Sequence, residues 1–95
     1  MFARSVRYNL RAGSRSTVET YVNELAPLYS GRPGFCSLTS MVEGALAEFV
    51  VLSVWETRED AEAAGAVRPD ALQWLDRALL GPPVVRIYEV FEPRG

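Results

Sequence analysis

Residues 49–55 read Phe-Val-Val-Leu-Ser-Val-Trp, and this stretch decides the fold. Both of its faces are apolar: one carries Phe49, Val51 and Trp55, and the other carries Val50, Leu52 and Val54. The pattern predicts a strand from Ala47 to Trp55 that is buried on both sides. Such a strand is central in its sheet or lies between helices and another sheet.

Three further segments predict strands that complete a sheet. Phe35 to Glu43 precedes the central strand, and the short turn Glu43-Gly44-Ala45 joins the two as an antiparallel hairpin. Phe2 to Leu10 alternates apolar and polar residues, with Arg4 as a polar exception on the apolar side. Val84 to Phe91 predicts the last strand, which is long and apolar for a sheet edge.

A first helix is predicted between the first two strands. Ser16 and Glu19 have capping-box spacing, which satisfies two free amides at a helix start. An apolar stripe follows at helical spacing: Val18, Tyr21, Val22, Leu25 and Leu28. Pro27 lacks an amide hydrogen and disfavours helix at the residue before it, so we expect the helix to kink or end there.

A second helical region is predicted between the third strand and the last. Thr57 is a good N-cap, and acidic residues follow in the first turn. Gly65 interrupts the region, and Pro69 suits the first position of a second segment. The expected buried face of that segment consists of Ala71, Leu72, Trp74, Leu75, Ala78 and Leu79.

The element order is therefore strand, helix, two strands, helix, strand. It predicts an α+β, ferredoxin-like βαββαβ domain over residues 1–95, with a four-stranded antiparallel sheet and both helices on one face. The opposite face would expose Val50, Leu52 and Val54, which monomers rarely tolerate. We therefore expect a homodimer in which a second sheet covers that face.

Composition excludes several classes of function. A net charge of −2 and a pI near 5.1 lack the basic footprint of nucleic-acid binding. No apolar run reaches the ~20 residues of a membrane span, and the N-terminus lacks a signal-peptide pattern, so a cytoplasmic location is the expectation. Cys36 is the single cysteine and there is no histidine, so we predict no metal site and an inert thiol.

Two motifs stand at the ends of predicted elements: Arg32-Pro33-Gly34-Phe35 before the second strand, and a strand that ends in Trp55-Glu56 before the Thr57-capped acidic helix. Together they resemble the antibiotic biosynthesis monooxygenase family of the dimeric α/β-barrel superfamily. The resemblance implies a cofactor-free oxygenation in which an electron-rich substrate anion reacts with oxygen. It also implies that Trp55 is the family's strand-end tryptophan. The haem-degrading branch of the superfamily needs a histidine, which is absent.

The chain departs from the family at two positions. An asparagine that some members carry four residues before the tryptophan is replaced by Val51, and a tyrosine of the next helix falls near Ala61. We predict Trp55, Tyr8 and Ser53 as catalytic residues. We predict that Trp74, Tyr21, Val51 and Phe49 bind substrate, because an apolar pocket with a few polar tips suits a small aromatic ligand. The plainer interpretation is that these aromatic residues only form the core.

Three functions remain open at this point. The first is a cofactor-independent monooxygenase for a quinol-like or polyphenolic substrate. The second is a non-catalytic ligand-binding or interaction module, which a cavity filled by aromatic side chains would favour. The third is an isomerase or cyclase, with Glu48 or Glu89 as the only candidate acid or base. Arg7 and Asn9 point toward the opposite face. Pairing with Glu48 or Glu89 is a simpler expectation for them than recognition of an anion or a carbonyl group.

Overall fold

The computed structural model describes residues 1–44 and 47–93 and contains one antiparallel sheet. Its strands are β1 (Phe2–Asn9), β2 (Phe35–Glu43), β3 (Glu48–Trp55) and β4 (Val84–Glu89), in the spatial order β2-β3-β1-β4. This order confirms the predicted ferredoxin-like α+β fold. The sheet is open, with β2 and β4 at its edges. The predicted hairpin between β2 and β3 is confirmed, although its turn residue Ala45 lies outside the described residues.

The helices are α1 (Arg15–Ser30), α2 (Arg58–Ala63) and α3 (Leu72–Ala78), and a short 3₁₀ turn (Ala64–Ala66) follows α2. The predicted cap at Thr57 is confirmed, since its hydroxyl oxygen accepts a hydrogen bond from the Asp60 amide at 3.1 Å. The predicted interruption at Gly65 falls in the 3₁₀ turn. Among the described residues, no helix is both long and apolar enough to cross a membrane.

The central strand β3 behaves as its sequence predicts. Its residues alternate between fully and partly buried along the whole strand. Phe49, Val51, Ser53 and Trp55 face the helices. Register with β1 places Val6 opposite Val51 and Tyr8 opposite Phe49. The even-numbered side chains of β1 therefore share the helix-covered side, where the core lies.

The predicted capping box at the start of α1 is wrong. The helix begins at Arg15, and the preceding residue, Ser14, makes no side-chain capping bond. Ser16 lies inside the first turn, and the Glu19 carboxylate accepts a hydrogen bond from Arg15 at 3.1 Å. The carboxylate thus pairs with a guanidinium one turn away instead of reaching back to a free amide.

Of the two expectations for Pro27, a kink or an end of the helix, the end is wrong, because α1 continues to Ser30. The Ser30 hydroxyl donates to the carbonyl oxygen of Ala26 at 3.0 Å, which helps to satisfy the last turn. Leu28, expected on the apolar stripe, is 44% exposed, whereas Tyr29 is only 2% exposed. The last turn of α1 therefore directs Tyr29 into the core and Leu28 outward.

The predicted burial of Trp74 is wrong, since 54% of this residue is exposed. The inward positions of the α3 region are Ala71, Leu75 and Ala78, whose small or compact side chains let it pack against α1. Trp74 lies at the flank of that stripe, and the Arg77 guanidinium stacks 5.1 Å from its ring centre. Because α3 packs closely against α1, a large ring at the flank of the stripe stays outside the contact between the two helices.

Gly34, in the turn before β2, occupies a position that only glycine fits. Its φ is +76°, and a Cβ built there would collide with the side chain of Asp60. Its carbonyl oxygen accepts a hydrogen bond from the Glu56 amide at 2.8 Å. The turn therefore joins the end of α1 to the start of α2 at the point where β3 ends.

Candidate functional site

A cavity of about 470 Å³ lies between the sheet and its helix layer. Strand β1 lines it with Arg4, Val6 and Tyr8, and α1 lines it with Tyr21 and Tyr29. These side chains converge because β1 alternates with a period of two, while positions 21 and 29 lie about two helical turns apart on one face. The volume is in the range of small-ligand pockets.

The opposite wall of the cavity comes from the connection between α2 and β4. The 3₁₀ turn contributes Ala64 and Gly65, and the connection to α3 contributes Val67 and Arg68. No regular helix covers the sheet between Ala66 and Leu72. The cavity therefore lies where the helix layer is interrupted.

Tyr8 and Tyr21 form a buried pair at the cavity wall. Their hydroxyl oxygens are 3.3 Å apart, one donating to the other, and their rings meet edge to face. The Tyr8 ring also stacks on Phe49, with ring centres 4.4 Å apart. Burial, and then the neighbouring Tyr21, raise the pKa of Tyr8 well above its usual value. Tyr8 therefore remains a neutral phenol that can donate a hydrogen bond.

Arg4 and Tyr29 form a second polar pair. The Arg4 guanidinium donates to the Tyr29 hydroxyl oxygen at 3.0 Å, and its other terminal nitrogen lies beside Gly65. Burial raises the pKa of Tyr29, and the positive charge of Arg4 counteracts that shift. Within residues 1–44 and 47–93, no carboxylate forms an ion pair with Arg4. Among those residues, the hydrogen-bond partner of the Arg4 guanidinium is a neutral phenol.

Trp55 and Ser53 lie beside this cavity but do not line it. Trp55 is 0% exposed, and its indole nitrogen donates to the Ser53 hydroxyl oxygen at 2.8 Å. The Ser53 hydroxyl can in turn donate to the Arg4 carbonyl oxygen at the long distance of 3.5 Å. The Trp55 ring meets Tyr29 edge to face, with centres 5.2 Å apart. Trp55 thus supports a residue of the cavity wall.

The structure separates the predicted site residues into three places. Tyr8 and Tyr21 line the cavity, whereas Trp74 lies on the surface against Ser16, Thr17 and Thr20 of α1. The remaining four belong to the packed core: Phe49, Val51, Ser53 and Trp55. Trp74 therefore does not approach the other predicted residues.

Several residues of the cavity were missed from the sequence, Arg4 and Tyr29 among them. Arg4 carried a signal, since it was the polar exception among apolar positions of the first strand. Tyr29 carried none, because the helix was expected to kink or end at Pro27. Glu48 and Glu89, the candidate acids or bases, are not among the residues that line the cavity. Glu48 instead forms an ion pair with Arg7 at 3.7 Å on the opposite face, as expected.

The described residues contain no group of three acidic, cysteine or histidine side chains placed to hold a metal ion. The Cys36 thiol is exposed and lies 3.6 Å from the Met1 sulfur. The chemistry available in the cavity is therefore that of two guanidinium groups, three phenols, one carboxylate and apolar side chains. Such a site can hold a flat molecule and stabilise an oxygen anion on it.

Fold and cavity together define an α+β ferredoxin-like protein with a ligand-sized cavity between sheet and helices. A family model described as "Antibiotic biosynthesis monooxygenase" matches residues 1–66. The chain belongs to the antibiotic biosynthesis monooxygenase family. No curated protein matches the chain at a significant level.

Solved structures share the fold at low sequence identity. Rv0793 from Mycobacterium tuberculosis is 14% identical with a TM-score of 0.78, over 99% of this chain and 98% of that one. A structure described as an antibiotic biosynthesis monooxygenase is 13% identical with a TM-score of 0.78, over 97% and 100% of the two chains. SnoaB, a cofactor-independent oxygenase from Streptomyces nogalater, is 14% identical with a TM-score of 0.73, over 97% and 94%.

Proposed function

We propose that this chain is a cofactor-independent monooxygenase for a quinol-like or polyphenolic substrate. The observation that carries the proposal is the Arg4 guanidinium, which lines a tyrosine-walled cavity without a carboxylate partner among the described residues. A partly buried charge of this kind is costly unless something pairs with it. A phenolate oxygen of the substrate is a suitable partner. Family membership supports the same reaction class.

The reaction needs an electron-rich anion and protection from bulk water. Arg4 stabilises the phenolate and so favours loss of the phenol proton to solvent at the cavity mouth. The neutral Tyr8 hydroxyl donates to a second substrate oxygen, and Val6 packs against the ring. A C–O bond forms between one atom of dioxygen and a carbon of the anion that carries hydrogen, the C–H and O–O bonds break, and the other oxygen atom leaves as water. The new oxygen becomes the carbonyl of an anthrone-derived quinone or the hydroxyl of a hydroquinone-derived one. The substrate supplies all four electrons and, by a net loss of two hydrogens, the two protons of that water.

Trp55 and Ser53 enter this proposal as positioning residues. The Trp55 indole N–H is already donated to Ser53, and its ring supports Tyr29, the hydrogen-bond partner of Arg4. Both residues therefore hold the guanidinium in place without contacting substrate. Phe49 supports Tyr8 in the same way, through ring stacking.

We also propose that the chain works as a homodimer in the cytoplasm. The face opposite the helices carries Val50, Leu52 and Val54, with Met41, Val84 and Tyr88 exposed around them. A second copy that packs its sheet on this face would bury the patch. Leu52→Asp is expected to give a monomer in light-scattering measurements, whereas Glu56→Gln, in the loop after β3, leaves the dimer intact. The proposal would be contradicted if the wild type is a monomer, or if Glu56→Gln is a monomer as well as Leu52→Asp.

Oxygen uptake tests the proposed reaction. The wild type is offered hydroquinones and anthrones, and product is followed by mass spectrometry with ¹⁸O₂. We expect one labelled oxygen atom in the product. Arg4→Met is expected to lower kcat/KM by about 100-fold, in line with loss of one oxyanion-stabilising group. Arg77→Met, which removes an equal charge outside the cavity, serves as the control. Absence of uptake by a folded protein across the panel would overturn the proposal.

A ligand-binding module without catalysis is the second candidate. The observation in its favour is that four of the polar side chains of the cavity bond to one another in two pairs, Tyr8 with Tyr21 and Arg4 with Tyr29. The same panel distinguishes the two functions. Binding of quinols that depends on Arg4, with no oxygen uptake, would favour the module.

A further inference from the structure

A second arginine lines the same cavity. Arg68 lies in the connection between the 3₁₀ turn and α3, and it is an exposed residue. Like Arg4, it forms no ion pair with a carboxylate in the described parts of the chain. It lies beyond residues 1–66, so the match to the family model does not extend to it.

The two arginines come from neighbouring parts of the cavity wall. Arg4 bonds directly to the Tyr29 hydroxyl at 3.0 Å, and its other terminal nitrogen lies beside Gly65, three residues before Arg68 in the chain. Asp76 of α3 also lines the cavity, but in the described parts of the chain its carboxylate forms no ion pair with either arginine. The cavity wall therefore carries two guanidinium groups that are not paired with a carboxylate among those residues.

We propose that Arg4 and Arg68 together bind a ligand with two adjacent anionic oxygens, a phenolate and an ortho-carboxylate, and that Arg68 determines specificity for the carboxylate. Two guanidinium groups on the wall of one cavity repel each other unless an anion lies between them. One phenolate supplies a single negative charge. A carboxylate next to it supplies the second and matches the forked geometry of a guanidinium.

The ring of such a ligand has a place in the cavity. Val6, Val67 and Leu72 line the same cavity as the two arginines and the Tyr8–Tyr21 pair, so a flat ring meets apolar side chains. A hydroxyl on the far side of the ring reaches Tyr8, whose phenol remains protonated. The inference rests on the proposed function only in taking the ligand to be a phenol.

A matched pair of ligands tests the role of Arg68. The ligands are 1,4-dihydroxy-2-naphthoate and 1,4-dihydroxynaphthalene, which differ by the carboxylate alone, and binding is measured by calorimetry without oxygen. We expect the wild type to bind the acid at least about tenfold more tightly. Arg68→Gln is expected to remove this preference while it leaves the affinity for the uncharged quinol unchanged within about twofold.

Two further variants control for charge and geometry. Arg77→Gln removes the same charge from α3 outside the cavity and should keep the preference. Arg68→Lys keeps the positive charge but lacks the forked donors of a guanidinium, and it should keep part of the preference for the acid. Equal affinity of the wild type for the two ligands, or equal losses in Arg68→Gln and Arg77→Gln, would overturn the inference.

Oxygen uptake with the same two quinols separates this inference from the proposed function. Selective binding of the acid without uptake leaves the role of Arg68 standing and removes the monooxygenase. Uptake with equal kcat/KM for the two ligands supports the monooxygenase and removes the role of Arg68. Uptake with a preference for the acid that disappears in Arg68→Gln supports both.

Discussion

The helix-covered side of the sheet has two regions of opposite character. Around Trp55 the side chains are closely packed: Tyr29 and Phe35 meet the indole edge to face, with ring centres 5.2 Å and 5.4 Å away. Around Arg4, only a few residues along the same sheet, a cavity of about 470 Å³ remains. We call these the packed region and the cavity region.

The difference shows what opens a pocket in so small a domain. The packed region lies where large aromatic rings on β2, β3 and α1 face one another. The cavity region lies where an inward strand position carries Arg4, whose charged end cannot join an apolar core, and where the helix layer is interrupted between Ala66 and Leu72. A gap in the covering layer locates the site more directly than the tryptophan does.

Removing the indole should break the packed region and give the largest effect. Trp55→Ala deletes a fully buried ring and is expected to lower the free energy of unfolding by about 3–5 kcal/mol, measured by urea denaturation. Trp74→Ala is the matched control, because the same change at an exposed residue should cost less than about 1 kcal/mol. Equal losses would mean that Trp74 is packed against something in solution.

Removing the partner of the indole should give an intermediate effect. Ser53→Ala leaves the buried Trp55 N–H without its acceptor, which costs about 1–3 kcal/mol. The double variant Ser53→Ala with Trp55→Phe removes donor and acceptor together. If the hydrogen bond is responsible, a double-mutant cycle on unfolding free energies will show strong coupling. Additive losses would count against it.

The Tyr8 hydroxyl gives a smaller effect that depends on pH. Because the pKa of Tyr8 is raised in the folded state, its contribution is fully present below pH 10 and is lost as the pH rises, since the unfolded chain releases the proton first. Tyr8→Phe should cost about 1 kcal/mol at pH 8. Above pH 10 its stability should fall less steeply than that of the wild type, by about 1.4 kcal/mol per pH unit.

Urea midpoints between pH 8 and pH 11 check that slope, with Tyr88→Phe as the control at an exposed tyrosine. If Tyr8→Phe and the wild type fall in parallel with pH, Tyr8 ionises in the folded protein. The phenol would then not remain a neutral hydrogen-bond donor.

Substitution of Arg4 should have the smallest effect on stability, which would distinguish the cavity region from the packed region. Arg4→Met loses the hydrogen bond to Tyr29 but also removes a partly buried charge that has no carboxylate partner in the described chain. These effects oppose each other, and the free energy of unfolding should change by less than about 1 kcal/mol. A loss as large as that of Trp55→Ala would make Arg4 a structural residue. Ligand binding, by contrast, should suffer strongly.

Much of the fold could be predicted because its signals are local and repeated. The two-sided apolar pattern of residues 49–55 placed β3 at the centre, and alternation along β1 assigned its inward face correctly. Thr57 capped α2 as expected. The end of α1 could not be predicted, since propensity disfavours helix around Pro27 while burial of Tyr29 in the core overrides it.

The site was harder to predict than the fold. Tyr8 and Tyr21 were placed correctly on a shared inward surface, but Trp74 was assigned to the core from a helical stripe on which it occupies only the flank. Whether a buried aromatic residue lines a cavity or fills a core depends on what covers it. Here that cover is the irregular segment 64–71, whose path carries no periodic signal.

The glycine of the Pro33-Gly34-Phe35 turn has a consequence for how relatives of this chain are grouped. A side chain at Gly34 would strike Asp60, so the motif records a joint between helix and sheet that tolerates one residue type. Collecting sequences by this motif sorts them by how that joint is built, whatever molecule they bind. A classification by the chemistry that we propose would compare positions 4 and 68 instead.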